Sequence, residues 1–133
     1  MNVTRIDQAP RYEAPNHFDM TCLRLQGREA GPAEQLWLGM SIIAPGGHTG
    51  LDASPIEKHY LVLQGELTLV GELADGSTRR ELLRVFDSCC FAPGEKRQLI
   101  NHSAHEARVV LAMPFAPPVQ PRPPEPTDET HAC

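Results

Sequence analysis

The chain of 133 residues predicts a single all-β domain, and three observations carry that prediction. Short runs of large apolar and β-branched residues recur along it, each bounded by Gly or Pro. Asp75-Gly76, within "ADGS", marks a tight hairpin turn between two of those runs. No segment reads convincingly as a helix. "TRRELLRV" (78–85) has the propensity for a helical turn, but the Asp-Gly before it makes it the returning strand of a hairpin. Eight short strands joined by tight turns indicate a sandwich or barrel.

In chain order, residues 1–20 are polar and punctuated by proline, and read as an N-terminal arm or edge strand. Residues 21–116 are the barrel. Its strands are expected at 21–27, 35–44, 58–64, 66–73, 78–85, 88–92, 97–101 and 107–113. Trp37, the only tryptophan, falls in the second of these and is expected in the core. Seven of the 13 prolines lie in residues 114–126, where neither a ladder nor a helix can be sustained. Residues 117–133 are therefore expected to form a proline-rich disordered tail.

Composition excludes several function classes. Lys+Arg 12 against Asp+Glu 17 gives a net charge of −5 with no basic patch, which argues against a nucleic-acid partner. No apolar run is long enough to cross a bilayer and "MNVTRIDQAP" has no signal-peptide core, so a cytoplasmic chain without a membrane partner is expected. The four cysteines, Cys22, Cys89, Cys90 and Cys133, have neither disulfide-framework nor zinc-type spacing. Cys89 and Cys90 are strand neighbours and must point to opposite faces. A buried thiol beside a more exposed one is expected.

Two spacings carry more information. The first runs Gly46, five residues, Asp52-Ala53-Ser54, three residues, Lys58, six residues, Gly65. The second runs Phe86, five residues, Ala92-Pro93-Gly94, two residues, Arg97, three residues, Asn101. Both match, without a gap, the two motifs of the cupins, and from about residue 20 to 115 the chain resembles a small cupin of the RmlC-like superfamily. "YLVLQGELTL" also resembles that family's central strand and turn. The resemblance implies a jelly-roll β-barrel. It further implies a homodimer, a role that the first twenty residues would suit.

The departures concern the site. Where metal-bearing cupins place two His, a Glu and a third His, this chain has Asp52, Ser54, Lys58 and Arg97. Only Asp52 is a good ligand, and two cations repel a divalent ion. No metal and no cofactor are therefore expected. Strand alternation puts Lys58, Tyr60 and Val62 on one face and His59, Leu61 and Leu63 on the other. The resemblance implies that the Lys58 face lines the barrel.

Four readings of such a site follow. The leading one is a cationic pocket of Lys58 and Arg97, modulated by Asp52, Ser54 and Tyr60, that binds a small anionic metabolite. The second is a metal-free isomerase or lyase, with Lys58 of lowered pKa as base or Schiff-base nucleophile and Tyr60 as proton donor. The third is a structural staple in which Asp52, Lys58 and Arg97 pair. The fourth is a rebuilt metal site, reached if a one-residue slip turns Glu57 and His59 inward beside Asp52, or if His48 swings in from its loop.

Overall fold

The structure, a computed structural model, describes residues 1–116; the proline-rich segment 117–133, with Cys133, lies outside the described residues. The described residues form ten strands: β1 Arg11–Tyr12, β2 His17–Gln26, β3 Leu36–Thr49, β4 Asp52–Ala53, β5 Lys58–Gln64, β6 Leu67–Glu72, β7 Thr78–Leu83, β8 Ser88–Phe91, β9 Lys96–Ile100 and β10 Ala107–Pro114. Two single-turn 3₁₀ segments, Ile6–Gln8 and Arg28–Ala30, are the helical content. No described helix is long and apolar enough to cross a membrane.

All pairings are antiparallel, and the strands run β7-β6-β9-β3-β10-β5-β8, with β2 and β1 added on β3 and β4 on β9. β3 is the hub. Its first part pairs with β2 and β10, while His48 near its end meets Ile100 of β9. The chain thus curls into a nearly closed jelly-roll barrel, the all-β fold expected from the motifs.

Each expected strand is present, shifted by a few residues at its ends. β3 continues five residues past the expected Ala44, and β2 begins at His17 rather than Thr21. β1, two residues long, pairs with β2 within the segment read as an arm or edge strand, whereas β4 was not expected, being a two-residue bridge with too little sequence to show alternation. The Asp75-Gly76 hairpin forms as read. Gly76 has φ +84°, and Asp75 Oδ1 accepts from the Ser77 amide at 2.8 Å and the Ser77 hydroxyl at 2.6 Å.

The core follows the two-residue period. In β5, Lys58, Tyr60 and Val62 are buried while His59, Leu61 and Leu63 are exposed. Val62 joins Ile43, Leu67, Leu99 and Val109, all at most 1% exposed, in the barrel interior. Gly65 turns β5 into β6 with φ +73°, and a Cβ there would meet the Glu106 carbonyl oxygen at 2.7 Å. That turn locks the register of β5. Cys89 is half-buried and Cys90 exposed, on the opposite faces of β8 that their adjacency requires.

Candidate functional site

Inside the barrel lies a cavity of about 510 Å³, and Asp52, Ser54, Lys58, Tyr60 and Arg97 all line it. Three strands bring them together. Alternation in β5 turns Lys58 and Tyr60 inward. The pairing of Asp52 with Arg97 and of Ala53 with Lys96 sets β4 against β9, so the acid and the guanidinium stand opposite each other. Ser54 Oγ accepts from the Ile56 amide at 3.1 Å, which fixes the turn leading into β5.

The electrostatics are unbalanced. Lys58 and Arg97 are only 8% and 9% exposed. Among the described residues, neither side chain makes an ion pair or a hydrogen bond. Asp52 does not close on them; its Oδ2 accepts from Asn16 Nδ2 at 3.0 Å. Burial pushes the Lys58 amine down to about 8, Arg97 pushes it the same way, and Asp52 opposes them more weakly. Tyr60, 4% exposed and edge-on to Phe91 at 6.0 Å, is pushed up to about 12, chiefly by burial. It is a neutral hydroxyl at any ordinary pH.

One wall comes from residues whose role the sequence did not reveal. Tyr12, Glu13, Asn16 and His17 line the cavity from the proline-punctuated segment read as an arm. His17 Nδ1 lies 2.7 Å from the Pro15 carbonyl oxygen. Its pKa is lowered, first by burial and further by Arg97 and Lys58, against opposition from the Pro15 bond and Asp52. At the far wall the Arg24 guanidinium lies between two rings, 3.5 Å from the Tyr12 centroid and 4.1 Å from that of Trp37. "RYEAPNHF" has no regular period, so its only signal was an unusual density of polar and aromatic side chains.

The polar deficit of this site has one sign. Among the described side chains, the buried polar atoms without a partner are Arg24 Nη1, Trp37 Nε1 and Arg97 Nε. All three are N–H donors on residues that line the same cavity.

At the position where cupins hold a metal stand Asp52, Ser54, Lys58 and Arg97. The set offers one carboxylate, already hydrogen-bonded to Asn16, one hydroxyl and two buried cations. That donor set does not fit a divalent ion. The β5 register carries no slip at its start. Glu57 and His59 lie outside the barrel, half-exposed, with His59 Nε2 2.5 Å from Glu57 Oε1. His48 stays out of the cavity as well: it stacks on Phe18 at 5.0 Å, its Nδ1 3.2 Å from the Gly46 carbonyl oxygen.

Comparison with known proteins agrees with the fold. No family model matches the chain. The chain is 40% identical over 113 residues to beta-D-galactosidase Rv1717 of Mycobacterium tuberculosis, covering 85% of this chain and 93% of that protein. Among solved structures, the polyketide cyclase RemF of Streptomyces resistomycificus superposes with a TM-score of 0.74 at 21% identity, over 89% of this chain and 82% of that one. A Cupin 2 conserved barrel domain protein of Salinispora arenicola superposes with a TM-score of 0.66 at 18% identity, over 85% and 87%. Barrel, motif spacing and these likenesses together give the chain the fold of a small cupin, and its 40% identity makes it a member of one family with beta-D-galactosidase Rv1717.

Proposed function

We propose that this cupin binds a small organic anion in the cavity headed by Lys58 and Arg97, with no metal ion at the family's usual position. The carrying observation is the pair of buried cations with no counterion among the described residues. Lys58 and Arg97 are buried without an ion-pair partner among the described residues, and a bound carboxylate or phosphate would neutralise them. The three unpartnered N–H donors support the same reading, because they too call for an acceptor-rich guest. The test is a thermal-shift screen of carboxylates, sugar acids and phosphate esters on wild type, Lys58→Ala and Arg97→Ala. Ligands that stabilise wild type and neither variant support the proposal. Equal stabilisation of all three proteins, or of none, rejects it.

The mycobacterial relative favours a second reading, hydrolysis of a β-galactoside. Water would add across the glycosidic bond, giving free galactose and the alcohol. The reaction uses two carboxyl groups, one to protonate the leaving oxygen and one to serve as base or nucleophile. Asp52 and Glu13 both line the cavity and supply such a pair. Release of nitrophenol from nitrophenyl β-D-galactoside by wild type, and its loss in Asp52→Asn and Glu13→Gln, is the expected result. A sugar acid would fit both readings. In a lyase or isomerase reaction the base would be Lys58, whose lowered pKa of about 8 gives it more free amine near neutrality than an ordinary lysine, with Tyr60 as donor. A homodimer belongs to the same proposal, and light scattering of the full chain tests it.

A further inference from the structure

The strand that turns Lys58 inward turns a different chemistry outward. His59 stands opposite Cys90 in the β5–β8 pair, and both are exposed on the outer wall. Glu57 precedes His59 by two residues and reaches the same imidazole nitrogen. The carboxylate, His59 Nε2 and Cys90 Sγ all lie within 4.8 Å of one another.

We propose that Glu57, His59 and Cys90 form a site for a thiophilic divalent ion such as Zn²⁺, on the outside of the barrel. The geometry is near what such an ion requires. Zinc–sulfur and zinc–nitrogen bonds of about 2.3 and 2.05 Å at a tetrahedral angle put the two donors about 3.5 Å apart. Cys90 Sγ and His59 Nε2 are 3.8 Å apart. Glu57 Oε1 must withdraw from its 2.5 Å contact by somewhat less than 1 Å, a small rotation of a half-exposed side chain. A carboxylate, a thiolate and a neutral imidazole around Zn²⁺ sum to zero charge, and solvent takes the fourth position. On binding, the Sγ–H proton leaves to solvent as the sulfur–metal bond forms.

The position gives such an ion a purpose. β8 is the last strand of its path, paired with β5 and with no described partner on its other side. An ion held by His59 of β5, by Glu57 just before that strand and by Cys90 of β8 would staple that edge. This site shares no residue with the cavity, so it stands or falls independently of the anion reading.

The test is titration of chelator-treated full-length protein with Co²⁺, whose thiolate charge-transfer band reports sulfur ligation. We expect one equivalent to bind with that band, and Zn²⁺ to displace it and raise the melting temperature. Cys90→Ser and His59→Ala should abolish the band, Glu57→Gln should weaken binding by about tenfold or more, and Cys89→Ser should change neither. Since all three ligands are exposed, the variants should keep the wild-type circular dichroism, and Cys90→Ala serves as a second check. Absence of the band in wild type, or its survival in Cys90→Ser or His59→Ala, overturns the proposal.

Discussion

Asp52 stands directly opposite Arg97 in the β4–β9 pair, yet no ion pair joins them, and Asp52 is hydrogen-bonded to Asn16 instead. The charge pair most available to act as a staple is therefore open. Removing one partner of a closed buried pair costs roughly 3–5 kcal/mol, because the other charge is stranded. Here Arg97→Ala should cost less than about 1 kcal/mol in ligand-free urea unfolding, since it removes an uncompensated charge along with its packing. A loss in the larger range would mean that the triad holds the barrel together and that the staple reading was right.

Lys58 makes stability depend on pH in a defined direction. Its folded pKa, about 8, is below the 10.5 expected for the unfolded chain, so the unfolded state binds more protons between these values. Stability of the unliganded protein should rise with pH through that window, by about 1–2 kcal/mol after allowing for solvent screening. Lys58→Met should flatten the rise and stabilise the protein near pH 7. Parallel urea titrations at pH 7.5 and 10 measure it, and a slope unchanged by the substitution would reject the account.

Trp37 is the only tryptophan and lines the cavity with Arg24 against its face. A bound ligand should therefore shift or quench its emission, and that change should saturate with the same midpoint as the thermal stabilisation. Saturating a site to about a hundred times its Kd stabilises by about 2.7 kcal/mol. A thermal shift with silent fluorescence would place the ligand outside this cavity.

Phe86 occupies the position where the second cupin motif has glycine, and it holds φ +71° while 75% exposed. A left-handed backbone at a bulky residue costs roughly 1–2 kcal/mol, and so exposed a ring returns little burial. Phe86→Gly should stabilise the fold by about 0.5–1 kcal/mol in chemical unfolding. At Gly65 the sign reverses. Gly65→Ala would force a Cβ onto the Glu106 carbonyl oxygen and should cost about 2 kcal/mol or more.

Asn101, the matched last residue of the second motif, is fully buried. Its Nδ2 donates to the Ile43 and His105 carbonyl oxygens at 3.0 and 2.8 Å, and its Oδ1 accepts from the Ser103 amide and hydroxyl. Asn101→Ala leaves several of those groups without partners and should cost about 3 kcal/mol. Ligand affinity per folded molecule should be unchanged, since Asn101 does not line the cavity.

Alternation grouped Lys58, Tyr60 and Val62 on one face of β5, and the resemblance to cupins implied that this face is the inner one. The same reasoning put His59 outside. What alternation does not contain is which strand lies beside which. That Asp52 faces Arg97 without pairing, and that Cys90 meets His59, are consequences of strand neighbours many residues apart in the chain. The wall of Tyr12, Glu13, Asn16 and His17 was hidden for a different reason: an irregular, proline-punctuated segment has no period from which a direction can be read. Period and turn residues, which act over a few positions, determined the strands and which side chains share a face, and the motif spacing pointed to the barrel. Only the tertiary structure, which brings distant strands into register, decided what Lys58 and Arg97 face and what stands on the barrel's outer wall.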